Sequence, residues 1–242
     1  MNAKAEEPAP DPTAVVAIDG PSGAGKSTIA KAVAQQLGFQ YLDTGAMYRA
    51  VTWHFLENRC SPDQLGTDRL AAEQTMRLGL ASMELQLQVG GRVLVNGRDV
   101  TSHLRSQDVE SRVSAVSALP FVRASMTQMQ RAVAAAGPVV AEGRDMGSVV
   151  FPMARWKVYL TASAEERARR RKIDFDQRGR DVTYQQVLEE IVVRDRLDST
   201  RQDAPLKQAH DAVLVDTTGL STDAVVLCIL QIVDRGGRPQ RT

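Results

Sequence analysis

The sequence predicts an α/β protein: a parallel sheet with helices on both faces, carrying one small antiparallel insertion. Three observations carry this expectation. Short continuous apolar runs alternate with stretches of helical spacing along most of the 242 residues, the order expected of a parallel sheet covered on both sides. The first such run, Val15 to Ile18, leads straight into a glycine-rich loop and then a helix. One segment, MELQLQV at 83 to 89, instead alternates apolar and polar residues, as a half-buried strand does.

In chain order, residues 1 to 13 are rich in Pro, Ala and Glu and read as a disordered tail. Residues 14 to 43 form a first core piece. After the opening strand, Ile29, Ala30, Val33, Ala34 and Leu37 share one helical stripe that Gly38 stops, and Tyr41 with Leu42 makes a second short strand. Residues 44 to 123 form a distinct region. DTGAMYRAVTWHFLEN has helical spacing through Met47, Val51 and Phe55, and another helix is expected after Ser61 and Pro62. Gly90-Gly91 can then turn MELQLQV into RVLV, and Asn96-Gly97 offers a second tight turn.

Helices resume near Asp108, and Pro120 opens another that ends at Gly137. Residues 124 to 166 return to the core through strands at Pro138 to Ala141 and Trp156 to Leu160. Residues 167 to 203 are cationic and helical. Residues 204 to 234 close the core with a fifth strand, Ala212 to Val215, and an apolar helix from Thr222 to Val233, leaving 235 to 242 as a flexible end.

Composition narrows the function classes. The 43% hydrophobic and 24% charged content is ordinary for a soluble globular protein. A formal net charge of +1 gives no whole-molecule field toward nucleic acid or acidic membranes, so any cationic function must be local. Cys60 and Cys228 lack metal-type or CxxC spacing and read as free thiols of a reducing cytosol. The first residues carry Glu6, Glu7 and Asp11 and no apolar signal-peptide core. No apolar run approaches the roughly 20 residues that span a bilayer. A soluble cytoplasmic protein without nucleic-acid or membrane partners is expected, and a chain of this size with two mobile regions is expected to work as a monomer.

Gly20, Pro21, Ser22, Gly23, Ala24, Gly25, Lys26 and Ser27, followed by Thr28, match G-x-x-x-x-G-K-[ST] at every fixed position. The glycines let successive N–H groups point into an anion, and the helix after them adds its positive N-terminal end. Lys26 is expected to reach the β- and γ-phosphates, with the Ser27 hydroxyl on Mg²⁺. A GTPase-type switch would carry N-K-x-D, which none of Asn2, Asn58 and Asn96 begins. A nucleic-acid motor would need a broad basic surface that the charge balance does not supply. A small kinase needs a second anion site. Arg49 after DTGAMY, Arg144 in EGRDMG and Arg201 in RDRLDSTR are its candidates, because guanidinium matches phosphate oxygens in a fixed fork and ligands of α/β sheets bind beyond the strands' carboxyl ends.

With these residues in view, the chain resembles the bacterial cytidylate kinases, which are P-loop nucleoside monophosphate kinases, from about Val15 to Val233. The matching pieces are IDGPSGAGKST, DTGAMYRA, the NGRDVT hairpin section, EGRDMGSVVFP, SAEERARRR and RDRLDSTRQDAPL. The first is shared by many kinases; the others together are far more specific. The resemblance implies a P-loop NTPase-type five-stranded parallel core and a helical lid at 167 to 203. It makes 44 to 123 an enlarged nucleotide-monophosphate-binding region. It implies ATP and CMP or dCMP as substrates, in pyrimidine nucleotide metabolism. Carried over residue by residue, Arg49, Arg144 and Arg201 would hold the phosphate of CMP, with Thr44 also in contact. Arg194 and Asp198 would meet the sugar hydroxyls, and Ser114, Arg123 and Asp145 would read the base. Hydrogen bonding supports the last set independently: Asp145 can accept from cytosine N4 while Arg123 and Ser114 donate to N3 and O2.

The run Arg167, Arg169, Arg170, Arg171 and Lys172, then Arg178 and Arg180, reads either as a solvated helix face paired with Glu165 and Glu166 or as the arginines of the lid. Arg167 and Arg171, one turn apart, are the expected contacts to ATP. AVLVD at 212 to 216 imitates a metal-binding strand, but in the family's sheet that strand lies at an edge. Glu142, beside the phosphate loop, is the better partner for Mg²⁺, through water. His54, His103 and His210 are scattered and read as structural or surface residues. Lys26, Arg144 and Arg171 are the expected catalytic residues of in-line phosphoryl transfer, which needs no base because the acceptor oxygen is already ionised. Two rivals remain: a small kinase acting on a metabolite hydroxyl, and a non-catalytic ATP-binding regulatory module.

Overall fold

The computed structural model describes residues 14 to 60, 63, 69 to 88 and 90 to 236. The expected tail at 1 to 13, Ser61, Pro62, Val89 and the last six residues lie outside that range. The elements are β1 (Val15–Asp19), α1 (Lys26–Leu37), β2 (Gln40–Asp43), α2 (Thr44–Glu57), α3 (Arg69–Ala81), β3 (Leu85–Leu87), β4 (Val93–Val95) and β5 (Arg98–Asp99). There follow α4 (Gln107–Ser117), α5 (Pro120–Ala135), β6 (Val139–Gly143), a π-helical turn (Met146–Val150), β7 (Trp156–Thr161), α6 (Ala164–Gln177), α7 (Tyr184–Thr200), β8 (Val213–Asp216) and α8 (Thr222–Asp234).

Local chemistry explains most of these bounds. Gly38, at φ 67, closes α1 in the left-handed conformation that a side chain resists. Asp43 caps α2 by accepting from the Ala46 amide, and Pro120 occupies the first turn of α5, where no N–H is needed. Thr183 and Gln186 form a reciprocal capping box that starts α7.

Five strands pair in parallel in the order β2-β6-β1-β7-β8, and β3-β4-β5 form a separate antiparallel sheet. The five expected core strands and the inserted hairpin are all present. The Asn96-Gly97 turn, with φ of 50 and 76, adds the third short strand to the hairpin.

The sheet buries both faces. Val15 and Ala17 of β1 pack with Leu42, Val139 and Ala141 against α2, α4 and α5, while Val16 and Ile18 pack with Val140, Val158 and Leu160 against α1 and α8. That two-sided burial is why β1 reads as a continuous apolar run rather than an alternation. Leu85, Val93 and Val95 of the small sheet join the first of these cores. No described helix is long and apolar enough to cross a membrane.

Helices α6 and α7 enclose a third, small core of Ala168, Phe175, Val187 and Ile191. The Arg171 and Arg180 guanidiniums lie over the Phe175 ring, at 4.9 and 4.3 Å from its centroid. Truncating Phe175 to Ala removes the largest side chain of this core, a change that costs about 3–5 kcal/mol in a packed interior. The expected outcome is loss of amide protection across residues 164 to 200 with the strand amides of the main sheet unchanged. Hydrogen exchange read by mass spectrometry checks it, and uniform loss in both parts would contradict an independent core.

Candidate active site

The phosphate loop leaves β1 at Asp19 and enters α1 at Lys26. Gly20 sits at φ 150, where a Cβ would lie 2.0 Å from the Leu160 carbonyl oxygen, so only glycine lets the loop lie this close to β7. Gly23, at φ 79, faces α6, and a Cβ there would meet the Arg167 Cβ at 3.0 Å. Lys26 is buried and its Nζ donates to the Pro21 carbonyl at 2.8 Å, across the loop it closes. Burial, then the nearby Arg144, pushes its pKa down to about 7.

Ser27 Oγ donates to Glu142 Oε1 at 2.5 Å, and Tyr41 Oη approaches the same oxygen at 3.3 Å. Among the described residues no group of three or more His, Cys, Asp or Glu side chains could hold a metal by itself. A hydroxyl beside one carboxylate is an all-oxygen donor set, and it fits Mg²⁺, which keeps several waters and takes its remaining ligands from phosphates. Asp216, at the end of AVLVD, is exposed on the edge strand and accepts from the Thr218 amide, so it stands away from this pair.

A single cavity of about 570 Å³ runs from Ser22–Ile29 of the phosphate loop past Glu142 to Thr44, Arg49, Ser114, Arg123, Arg144, Asp145, Arg194, Asp198 and Arg201. The parallel register explains the convergence: Asp19 pairs with Gly143 and Asp43 with Glu142, so β1, β2 and β6 end together. Arg49 Nη2 donates to both oxygens of Asp43 at 3.3 Å, and Thr44 Oγ1 donates to the Glu142 carbonyl at 2.6 Å. Arg144 Nε donates to Asp198 Oδ2 at 2.8 Å. Arg49 Nε, Arg194 Nε and Arg201 Nη2 are buried without a hydrogen-bond partner. Burial and then Arg144 lower the Arg194 pKa to about 10. Donors of one sign, desolvated and unsatisfied, make a site for an anion.

Arg123 and Asp145 close on each other as a buried ion pair, and Arg123 Nη1 also donates to the Ser117 carbonyl at 3.3 Å. Burial pushes the Asp145 carboxyl up against the pull of Arg123, Arg201 and Arg144. Tyr48 lies beside them, with the Arg123 guanidinium 5.7 Å from its ring centroid.

Arg201 and Arg194 both line the cavity, and one expectation, that for Arg167, needs correction. Arg201, expected at the acceptor phosphate, has its Nη2 3.7 Å from Asp145 Oδ1 and counts Arg123 among its charged neighbours. Arg194, expected at the sugar with Asp198, neighbours Asp198 together with Arg144, Arg171 and Arg49. Arg194 lies in the last two turns of α7, and Arg201 is the extended residue that follows the helix. Arg167, expected on ATP, does not line the cavity. Its Nε donates to the Ala162 carbonyl and its Nη1 to the Ser22 carbonyl at 3.1 Å and to Asp195 at 2.7 Å. The close seat of α6 on Gly23 turns this side chain under the loop, where it braces the backbone.

Arg170, which sequence spacing did not single out, lines the cavity near Leu220, Thr222 and Val225. It is held by Glu166 and by the Thr217 hydroxyl and carbonyl, at 2.7–2.9 Å. Arg171 lines the cavity as expected, and its Nη2 donates to Glu110 of α4 at 2.9 Å. Asp19 was also unforeseen: buried, it accepts from the Met146 and Gly147 amides, and burial pushes its pKa up to about 6 against those two hydrogen bonds. His54 bonds within the α2–α3 packing, His103 stacks near Trp53 and His210 is exposed, all remote from the cavity lining.

Known proteins carry the same organisation. The model of the cytidylate kinase family matches residues 16–235. The chain is 50% identical over 221 residues to a cytidylate kinase of Carboxydothermus hydrogenoformans, a match covering 91% of this chain and 97% of that one. It is also 50% identical over 223 residues to a bifunctional pantoate ligase/cytidylate kinase of Synechococcus sp. (strain CC9902), covering 90% of this chain and 44% of that protein. It thus spans less than half the length of the bifunctional relative. With the phosphate loop and the arginine cluster opening onto one cavity, these matches show that the chain belongs to the cytidylate kinase family.

Proposed function

We propose that this chain transfers the γ-phosphoryl group of ATP to CMP or dCMP, giving ADP and CDP or dCDP. The observation that carries the reading is the continuity of one cavity, with an amide-and-lysine cradle at one end and buried, unsatisfied guanidiniums at the other. Lys26 and the loop amides take the β- and γ-phosphates of ATP, and Arg170 borders the end of the cavity that faces α8. Arg49, Arg144 and Arg201 take the acceptor phosphate with Thr44 beside them, Arg194 and Asp198 meet the sugar hydroxyls, and Ser114, Arg123 and Asp145 read the base. Magnesium entering with ATP would sit against Ser27 and, through water, Glu142, and would draw charge from the phosphate oxygens.

The transfer is in line, with a loose transition state whose charge spreads over equatorial oxygens, so the protein's work is to align and neutralise. Arg144 and Arg171 lie between the two cradles and supply positive charge there. The helical pair α6–α7 acts as a lid whose closure keeps water from the γ-phosphate. The acceptor and its product are pyrimidine nucleotides, so the reading puts the enzyme in pyrimidine metabolism, as a cytoplasmic monomer.

Cytosine offers Asp145 a donor at N4, whereas uracil presents a carbonyl. A buried group left unpaired costs about 1–3 kcal/mol, so CMP is expected to exceed UMP in kcat/KM by roughly ten- to a hundredfold. ADP production with Mg-ATP and a panel of monophosphates and small alcohols reads this. Asp145→Ala should narrow the preference, while Arg144→Ala should depress turnover with every monophosphate. Turnover on alcohols alone, or none on any monophosphate, would point to one of the rival readings.

Lys26 yields a second expectation. Its pKa is depressed to about 7 without an anion, and a bound triphosphate restores its charge. ATP binding near pH 8 should therefore take up close to one proton, and far less near pH 6, where the lysine already carries it. Calorimetric titration in buffers of different ionisation enthalpy measures the uptake. The same uptake in Lys26→Met would assign it to another group.

A further inference from the structure

We propose that Asp19 is a positioning residue for base recognition: by capping the π-helical turn from the neighbouring strand, it leaves the carboxylate of Asp145 available to the base. The inference rests on the acceptor reading given above.

Asp145 occupies the N-cap position of the turn Met146–Val150, where an aspartate side chain ordinarily accepts from the amides that follow. Here it makes no such bond, at φ −147 and ψ 22, and is directed instead to Arg123 and Arg201. Asp19 takes the first two amides of the turn, and one of them, that of Gly147, is an amide an N-cap side chain would hold. Oδ1 accepts from the Met146 N–H at 2.7 Å and Oδ2 from the Gly147 N–H at 2.8 Å, with Asp19 only 3% exposed. Gly147 packs tightly: a Cβ there would lie 3.2 Å from Lys157 and 3.5 Å from Asp19 Oδ2.

Position makes the arrangement consequential. Asp19 is the last residue of β1, one residue before Gly20, and its ladder partner is Gly143. Beyond that pair the two chains part, one into the phosphate loop and the other into Arg144 and Asp145. The two carboxylate bonds tie them again just past the fork. An asparagine at position 19 can satisfy one amide but turns an NH₂ toward the other. The unsatisfied amide then competes for Asp145, the nearest carboxylate along the chain.

Asp19→Asn is therefore expected to raise KM for CMP about tenfold and to reduce the CMP-to-UMP ratio of kcat/KM by a similar factor. The dissociation constant of Mg-ATP, measured without acceptor, should stay within about twofold. In an Asp145→Ala background the same change should not reduce the ratio further. Equal losses on CMP and UMP with an unchanged ratio, a matching loss of ATP affinity, or wild-type kinetics would each overturn the proposal. The wild-type protein supplies an arm that no folding defect can obscure. The Met146 and Gly147 amides should exchange slowly with solvent deuterium in the free enzyme, and fast exchange overturns the cap. Absence of CMP turnover in the wild type overturns the acceptor reading instead, and amide exchange still decides the cap.

Discussion

Strand β6 lies directly beside β1, and their registers end together at Asp19 and Gly143. One residue later β1 becomes the loop that wraps a polyphosphate, and β6 becomes the segment bearing Arg144 and Asp145. Neighbouring strands are about 4.8 Å apart, so two reactants seated on these ends are held side by side. Helix α2 opens from Thr44, at the end of the strand on the far side of β6, and brings Arg49 to the same rim. A reaction that needs chiefly alignment is thus seated on the ends of adjacent central strands.

Electrostatics sets the second requirement. Arg49, Arg144, Arg194 and Arg201 stand close together with little water, and such a cluster repels itself. It persists because carboxylates are threaded through it: Asp43 on Arg49, Asp198 on Arg144 and Asp145 near Arg201. Each partner satisfies part of a guanidinium and leaves other donors unmet, as Arg49 Nε and Arg201 Nη2 show. A nearly neutral protein thus holds a strongly cationic pocket.

Much of this was legible in the sequence, for physical reasons that differ from place to place. IDGPSGAGKST announced its geometry because only glycine tolerates the backbone at Gly20 and Gly23. The core strands were readable because burial on both faces leaves an unbroken apolar run. The small sheet was readable because one face stays in contact with water. What spacing could not supply was the direction of individual side chains on α6 and α7. Arg167, Arg170 and Arg171 fall within little more than one helical turn, and a rotation of about 100° per residue separates a brace from a cavity wall. Asp19 was hidden because its partners are backbone amides distant in sequence, which leave no trace in residue identity.

The mutual embrace of Arg123 and Asp145 also bears on how errors are refused. The two side chains satisfy one another, so in the proposed reading an arriving base must displace a rival rather than fill a gap. A cytosine can substitute for both halves of that internal bond at once. In the same reading, a pyrimidine matching one half would strand the other, and the internal pair would compete against it.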